Sequence, residues 1–213
     1  MLFRSWRTLG LRGTRSNDYE AKDLFIPEKY STWRDSQPDR RETHPFFSIP
    51  MLTLYGIAFS GVAIGVADAC LSEFMKLAES KKGGGPFAGA TAPLSHNAVV
   101  RADVAKARAK WRRARAFLHE MFRETWSTLV AGEQPPLQQR AELRLAITGA
   151  MKACTEVVDY AFTAAGTNAV FDGSPFERRF RDIHTLMAHG QSQMSNFESA
   201  GEALFGTEPR NRL

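Results

Sequence analysis

Cysteine is almost absent from this chain: Cys70 and Cys154 are the only two among 213 residues. Two cysteines cannot build the disulfide framework that stabilises small secreted domains, so we expect a protein of the reducing cytoplasm. Complete phosphate loops are also missing from the N-terminal turn at residues 10–17, which matches neither GxGxxG nor GxxxxGK[ST]. The length suits one sizeable domain with a small appendage.

The histidines lack the spacing of metal ligands. His184 and His189 are about 140° apart around a helix, so they do not converge on one ion. No Glu-x-x-His pair is present, and a di-iron site of the ferritin type is not supported. We therefore expect no metal. An imidazole titrates near neutral pH, and His189 beside Gly190 could act as an acid or a base. The alternative is that both histidines are surface residues near a helix end.

Charge of neither sign dominates, since the formal net charge is +5. One stretch is strongly basic and is opposed locally only by Asp103; its cations are Arg101, Lys106, Arg108, Lys110, Arg112, Arg113 and Arg115. These residues fill the positions between apolar ones, and they lack the interleaved aromatic residues on which bases stack. We predict a solvated helix face and no nucleic-acid partner.

A long hydrophobic run occurs once, at residues 46–67, and its length would allow it to cross a bilayer. Pro50 interrupts the run, small and hydroxyl residues dilute it, and no second span follows. We predict a helix buried in a larger assembly and no membrane contact. The arginine-rich start resembles a transit peptide, but the residues that follow it fit a strand and a turn better.

Apolar periodicity predicts helices from Pro50 onward, at about 51–80, 95–131, 137–165, 174–190 and 191–205. Gly61 and Gly65 form a small-xxx-small pair that would let another helix approach closely. A flexible loop is predicted at residues 81–92. The seam of a helix bundle is visible in the second helix, where steps of four and three alternate along Val100, Val104, Ala107, Trp111, Ala114, Leu118 and Met121. The prediction is an all-α fold, an antiparallel four-helix bundle at residues 46–213.

Residues 1–45 differ from the bundle in pattern. Short apolar patches broken by glycines and by Asn17-Asp18 predict one or two strands, and residues 27–45 predict a linker. A lone hairpin is marginally stable, and no other strands are predicted to pair with it. We therefore expect this segment to be the end of a β-domain and the chain to be the C-terminal part of a longer protein.

The densest chemical cluster lies at residues 174–190. Ser174 is the predicted N-cap and Pro175 the first helical residue, and Glu177 is predicted to reach back to the Ser174 amide. The apolar stripe of this helix is Phe176, Phe180, Ile183 and Met187. Its cations Arg178, Arg179 and Arg181 either form a solvated face paired with Glu177 and Asp182, or serve a subunit interface or a phosphate contact.

Two stretches together resemble the acyl-CoA dehydrogenase superfamily. WRTLGLRGTRSNDYEAKDLFIPE is similar to the closing strands of its middle β-domain, where a Gly-x-Arg-(Gly)-Ser/Thr turn precedes a strand ending in Val/Ile-Pro. GTNAVFDGSPFERRFRDIHTLMAH resembles its C-terminal four-helix domain, whose fourth helix carries an Arg-Asp pair. The dehydrogenases usually place a catalytic Glu near the position of His189 and Gly190. The pattern Arg-Asp-x-His-x4-His found here instead resembles the flavin-dependent monooxygenase branch.

That resemblance implies the oxygenase component of a two-component monooxygenase. It would receive reduced FMN or FAD from a separate flavin reductase and use O2 to hydroxylate a small aromatic substrate. By the same resemblance His189 lies near the flavin and the substrate, where it deprotonates a phenol or stabilises the flavin hydroperoxide, and His184 supports it. Arg12, Thr14 and Ser16 lie on the flavin side, and a homotetramer is expected. Two alternatives stay open: an acyl-CoA dehydrogenase-like oxidoreductase, and a non-catalytic helical oligomerisation module.

Overall fold

The computed structural model describes residues 4–32, 41–83 and 92–210. These residues form five α-helices: α1 Met51–Ser80, α2 Ala98–Val130, α3 Leu137–Ala165, α4 Pro175–Met187 and α5 Ser195–Leu204. The predicted all-α fold is confirmed. α2 starts later than predicted because the Asn97 side chain caps it, accepting from the backbone N–H groups of Val99 and Val100. Most of the loop predicted at residues 81–92 lies outside the described residues.

The central element is α3, which packs against each of the other four helices. Ala146, Ile147 and Thr148 are consecutive in its sequence and are all buried. A helix with a single apolar stripe cannot bury three successive residues, so neighbouring helices cover most of the circumference of α3, while Glu156 and Thr163 on its outer side stay exposed. Its many alanines allow those neighbours to approach closely.

Two hydrogen-bonded contacts fix the direction of α2 against α1. Trp111 in α2 donates its indole Nε1–H to the Ile64 carbonyl at 2.9 Å. Arg108 lies one turn earlier in α2 and pairs with Asp68, one turn later in α1. The two helices therefore run antiparallel, as predicted for a bundle.

The basic face of α2 is partly neutralised by acids. Its ion pairs join Lys106 to Asp103, Arg108 to Asp68, and Lys110 to Glu156. The sequence indicated only Asp103 as an opposing charge, because Asp68 and Glu156 lie on α1 and α3. A pairing across helices is set by the packing and leaves no local signal in the sequence of α2.

α1 has a buried side and an exposed apolar side. Its exposed large side chains are Leu52, Tyr55, Val62 and Met75. A Cβ atom added at Gly61 or Gly65 would meet nothing within 4 Å, so the close helix approach predicted there is not made by the described residues. Among those residues α1 is the one helix long and apolar enough to span a bilayer, and 33% of its most apolar window is buried.

The described part of residues 1–45 contains no strand. Where the structure describes this segment, at 4–32 and 41–45, it forms extended chain and short 3-10 turns at Arg12–Thr14 and Glu28–Tyr30. The predicted strands need a neighbouring sheet, because a strand exists only through hydrogen bonds to a partner, and the described residues include no such sheet. The assignment of this segment to the end of a β-domain therefore stays a prediction.

Both cysteines are buried and free, as their number predicted. Burial raises the pKa of the Cys70 thiol to about 11 and that of the Cys154 thiol to about 12. Both thiols are therefore protonated at neutral pH and act as small apolar side chains of the core.

Neighbouring residues of α1 provide a test of this packing. Phe74 is 0% exposed and Met75 is 46% exposed. We expect Phe74→Ala to lower the free energy of unfolding by about 3–5 kcal/mol, because it removes buried surface and leaves a cavity. Met75→Ala should change it by less than about 0.5 kcal/mol. Urea unfolding of both variants measures the difference, and equal effects would contradict the assigned face of α1.

Candidate functional site

The N-terminus of α4 is built as its sequence suggests, with one difference. Ser174 is the N-cap, and its hydroxyl accepts from the Phe176 backbone N–H at 3.3 Å. Glu177 does not reach back to the Ser174 amide, because that N–H donates to the Phe171 carbonyl at 2.9 Å. The Glu177 carboxylate instead pairs with Arg181, one turn along the helix. This hydrogen bond lowers the pKa of Glu177, whose carboxylate is therefore charged at neutral pH.

An N-terminal turn docks on the middle of α4 through the Arg-Asp pair. The Arg181 guanidinium donates to the Leu9 carbonyl at 2.7 Å, and the Leu11 backbone N–H donates to Asp182 Oδ1 at 2.7 Å. Between these two bonds Gly10 lies against the backbone of α4, and a Cβ there would come within 3.0 Å of the Arg181 carbonyl. The turn is thus held by two side chains of α4 and by the absence of a side chain at Gly10.

The predicted cofactor-binding residues lie on the outer rim of this turn. Arg12 Nε donates to the Thr8 carbonyl at 3.0 Å, and the Thr14 hydroxyl donates to the Leu11 carbonyl at 2.9 Å. The Ser16 hydroxyl faces the Thr14 hydroxyl at 3.4 Å. All three predicted residues are exposed. The structure therefore brings Arg12, Thr14 and Ser16 together at the surface.

His184 is held between α3 and its own helix. Its Nε2 lies 2.8 Å from Asp159 Oδ1, and its ring centroid lies 4.3 Å from that of Phe180. Since a carboxylate only accepts hydrogen bonds, Nε2 carries the proton in this pair. Phe180 in turn stacks on Phe162 of α3, with centroids 4.4 Å apart. The packing thus fixes the orientation of the His184 ring.

His189 lies beyond the end of α4, which stops at Met187 rather than at Gly190 as predicted. It caps a short 3-10 turn, with Nδ1 accepting from the Gln191 backbone N–H at 3.3 Å. Its ring centroid is 4.2 Å from that of Phe59 in α1. Burial against neighbouring groups lowers the pKa of His189 from its ordinary value of 6.5, so the ring is neutral at pH 7 although the residue is exposed.

The protonation of His189 follows from these contacts. A neutral imidazole has one N–H donor and one acceptor nitrogen. Because Nδ1 accepts from Gln191, the proton is on Nε2. His189 therefore offers a hydrogen-bond donor at Nε2 rather than a free basic nitrogen there.

The predicted site residues are arranged along α4 but do not form one cluster. The N-terminal turn docks at Arg181 and Asp182. The end of α4 at Met187 lies about 8 Å further along the helix axis, because an α-helix rises about 1.5 Å per residue. The two imidazoles contact different helices, His184 facing α3 and His189 facing α1. No three His, Cys, Asp or Glu side chains converge on a common point within the described residues.

Four residues of this region were not predicted from the sequence: Phe59, Asp159, Gln191, and Arg144 of α3, whose guanidinium donates to Gln191 Oε1. Phe59 lies within a long apolar run, and Asp159 is one acid among many on a helix. Neither lies near its histidine in the chain: the contact of Phe59 with His189 and that of Asp159 with His184 join separate elements. Gln191 could have been suspected, since it directly follows His189-Gly190.

The docking of the turn can be tested at its glycines. We expect Gly10→Ala to release the turn from α4 and to speed tryptic cleavage after Arg12 and Arg15, because the new Cβ collides with α4 backbone. Gly13→Ala is the matched control, since a Cβ there meets nothing within 4 Å. Mass spectrometry of timed digests gives the rates. Equal rates in both variants would show that Gly10 does not hold the turn.

Comparison with known proteins adds the family. Residues 57–194 match the family described as acyl-CoA dehydrogenase, C-terminal domain. The chain is 32% identical over 205 residues to an indole-3-acetate monooxygenase of Pseudomonas putida, covering 96% of this chain and 51% of that protein. It is 27% identical over 210 residues to the flavin-dependent monooxygenase oxygenase subunit HsaA of Rhodococcus jostii, covering 95% of this chain and 53% of that protein.

A solved structure extends the likeness to the fold. XiaF from Streptomyces sp., determined in complex with FADH2 and glycerol, superposes with a TM-score of 0.88 at 19% identity, covering 100% of this chain and 54% of that one. This chain thus spans about half the length of the relatives it matches. With more than half of its residues matched by the family model, the chain belongs to the acyl-CoA dehydrogenase C-terminal domain family.

Proposed function

We propose that this chain is part of the oxygenase component of a two-component flavin-dependent monooxygenase, which uses reduced flavin and O2 to hydroxylate a small aromatic substrate. The observation that carries the proposal is His189, a neutral imidazole that presents Nε2–H from the end of α4. The names of its relatives, a monooxygenase and an oxygenase subunit, support this function over the acyl-CoA dehydrogenase alternative.

His189 would act as a hydrogen-bond donor. Its Nε2–H can donate to an oxygen atom of the substrate and stabilise negative charge that develops there. The role of general base is less suited to it, because its acceptor nitrogen, Nδ1, is occupied by Gln191 N–H. Phe59 keeps the ring in one orientation and excludes water from one of its sides. His184, which Asp159 holds in one orientation, would act as a positioning residue that supports the end of α4 before His189.

The N-terminal turn has the donor chemistry that a flavin requires. Arg12 uses only its Nε within the described residues, so its terminal N–H groups are available for a phosphate. The Thr14 and Ser16 oxygens are exposed beside it and suit a ribityl chain. When bound, reduced flavin would supply the electrons that activate O2. The FADH2 complex of XiaF supports reduced flavin in general, and either FMN or FAD fits this donor set.

Further parts of the proposal concern partners and location. A separate flavin reductase would supply the reduced flavin, as the oxygenase-subunit name of one relative suggests. The exposed apolar face of α1, including the open Gly61–Gly65 pair, supports a homotetramer in which another subunit covers it. We further propose that residues 1–45 belong to the end of a β-domain, with the bundle at 46–213, and that the protein acts in the cytoplasm.

The pKa of His189 can be measured directly. By NMR titration we expect its value in the folded chain to lie below 6.5, and Phe59→Ala to raise it toward 6.5 by letting water reach the ring. The pKa of His189 is expected to be lower in the folded chain than in the unfolded chain. The free energy of unfolding should therefore fall as the pH drops from 6.5 to below the folded-state pKa. Tyr55→Ala is the control, since Tyr55 contacts Phe59 and not the imidazole. An unchanged pKa in Phe59→Ala would remove Phe59 from the site.

The proposed activity requires the protein expressed from its complete reading frame. We expect it to bind reduced FMN or FAD anaerobically and to oxygenate an aromatic substrate when O2 is admitted. His189→Ala should keep flavin binding and slow oxygenation by about 10²-fold, the effect of losing one preorganised donor. His189→Gln restores an N–H near Nε2 and should recover part of the rate. His119→Asn, on the outer face of α2, is the matched control.

Each outcome decides between the proposals. Rescue by Gln supports a donor, whereas equal losses in the Ala and Gln variants would indicate a base. Retention of oxidised FAD with reduction by an acyl-CoA would favour the dehydrogenase alternative. Normal oxygenation by a protein that lacks both His184 and His189 would favour the alternative in which the bundle is a non-catalytic oligomerisation module.

A further inference from the structure

A cavity opens where the α2–α3 turn meets the start of α1, and it has a volume of about 260 Å³. Its walls are mainly apolar and buried: Ile49, Leu129, Leu143 and Ile147. Pro50, Gln134 and Arg140 line it and are exposed, so they form its rim. The cavity could hold a molecule of several heavy atoms, since one water in the liquid takes about 30 Å³.

A buried guanidinium lines this cavity. Arg144 is 4% exposed, and burial lowers its pKa, yet an arginine stays charged at neutral pH. Within the described residues its one hydrogen bond runs from a terminal nitrogen to Gln191 Oε1. A guanidinium has five N–H donors, so four of them have no acceptor among the described residues. A buried cation without a counter-charge is costly, and native proteins rarely leave one so.

The charges around the cavity all have one sign. Arg140 at the rim and Arg144 in the wall are both cationic, and none of the described residues that line the cavity is Asp or Glu. Thr53 is buried in the wall, and its hydroxyl makes no hydrogen bond within the described part of the chain. Thr125, in contrast, donates to the Met121 carbonyl at 2.8 Å. The cavity thus offers unmatched donors at one end and hydrocarbon elsewhere.

We propose that this cavity binds a small monocarboxylate with an apolar body, whose carboxylate is held by the fork of Arg144. The planar guanidinium matches a carboxylate with two parallel hydrogen bonds. The apolar walls accommodate the remainder of the ligand and select against small hydrated anions such as phosphate. This site does not depend on the proposed oxygenase activity, because its binding can be measured on the chain alone.

The site is also connected to His189. Gln191 accepts from Arg144 through its side chain, donates its amide Nε2–H to the Leu52 carbonyl at 2.8 Å, and donates its backbone N–H to His189. A carboxylate bound to Arg144 would therefore be linked to the His189 imidazole by a chain of hydrogen bonds through Arg144 and Gln191. If Arg144 served only to position Gln191, however, it would need no ligand, and the experiment must separate these two roles.

Isothermal titration of the 213-residue chain with benzoate, benzamide and inorganic phosphate tests the site. We expect benzoate to bind and benzamide, its neutral analogue of equal shape, to bind at least tenfold more weakly. Phosphate should not compete. Equal binding of benzoate and benzamide, or no benzoate binding, would overturn the proposal, and this comparison uses only the wild-type chain. Binding of phosphate with the same affinity as benzoate would instead indicate a nonspecific cationic patch.

Variants assign the effect to Arg144. Arg144→Met should abolish the preference for benzoate over benzamide, and it should leave the chain folded, since replacing an uncompensated buried charge by an apolar side chain is often tolerated. Arg144→Lys keeps the charge but loses the fork, and it should weaken benzoate at least tenfold. Arg113→Met, which removes an exposed cation from α2, is the control. Unchanged benzoate affinity in Arg144→Met would confine Arg144 to positioning Gln191.

Discussion

The central position of α3, which packs against the other four helices, is the constraint on which the rest of this structure depends. Polar groups on its buried faces must be satisfied by specific partners. Thr148 donates to the Gln191 carbonyl at 3.0 Å, and Lys81 donates to the carbonyl of Ala165 at the helix end. Arg144 is the exception, with one acceptor for five donors. Through Thr148 and Arg144, α3 therefore holds Gln191 in place, and Gln191 in turn holds the loop that carries His189.

The second organising contact is the docking of the N-terminal turn. Arg181 has two tasks: it binds the Glu177 carboxylate within its helix and the Leu9 carbonyl of the turn. The same helix thus carries the exposed Arg12 rim near its middle and His189 beyond its end. Because one rigid element positions both groups, a ligand that spans them would meet fixed partners, which suits the proposed flavin and substrate.

His189 illustrates how packing selects a chemical role. From residue type alone, an imidazole can serve as acid, base or donor. Burial lowers the pKa of the imidazole, Phe59 packs against its ring, and Gln191 occupies Nδ1, so the remaining group is Nε2–H. The cavity at Arg144 shows the complementary case, in which packing leaves donors without partners and thereby indicates a ligand.

The sequence alone determined the helices, because apolar periodicity, the Ser174 cap and the glycine and proline breaks act over a few residues. It also indicated the family, the two histidines and the absence of a disulfide. The strands expected at the N-terminus stay a prediction, since a strand depends on a partner sheet that the described residues do not include. Only the tertiary structure decided that Glu177 pairs with Arg181, that Phe59 covers His189, and that Arg144 is buried beside a cavity. Those features join residues far apart in the chain, and their energies arise from burial and geometry that exist only once the helices have packed.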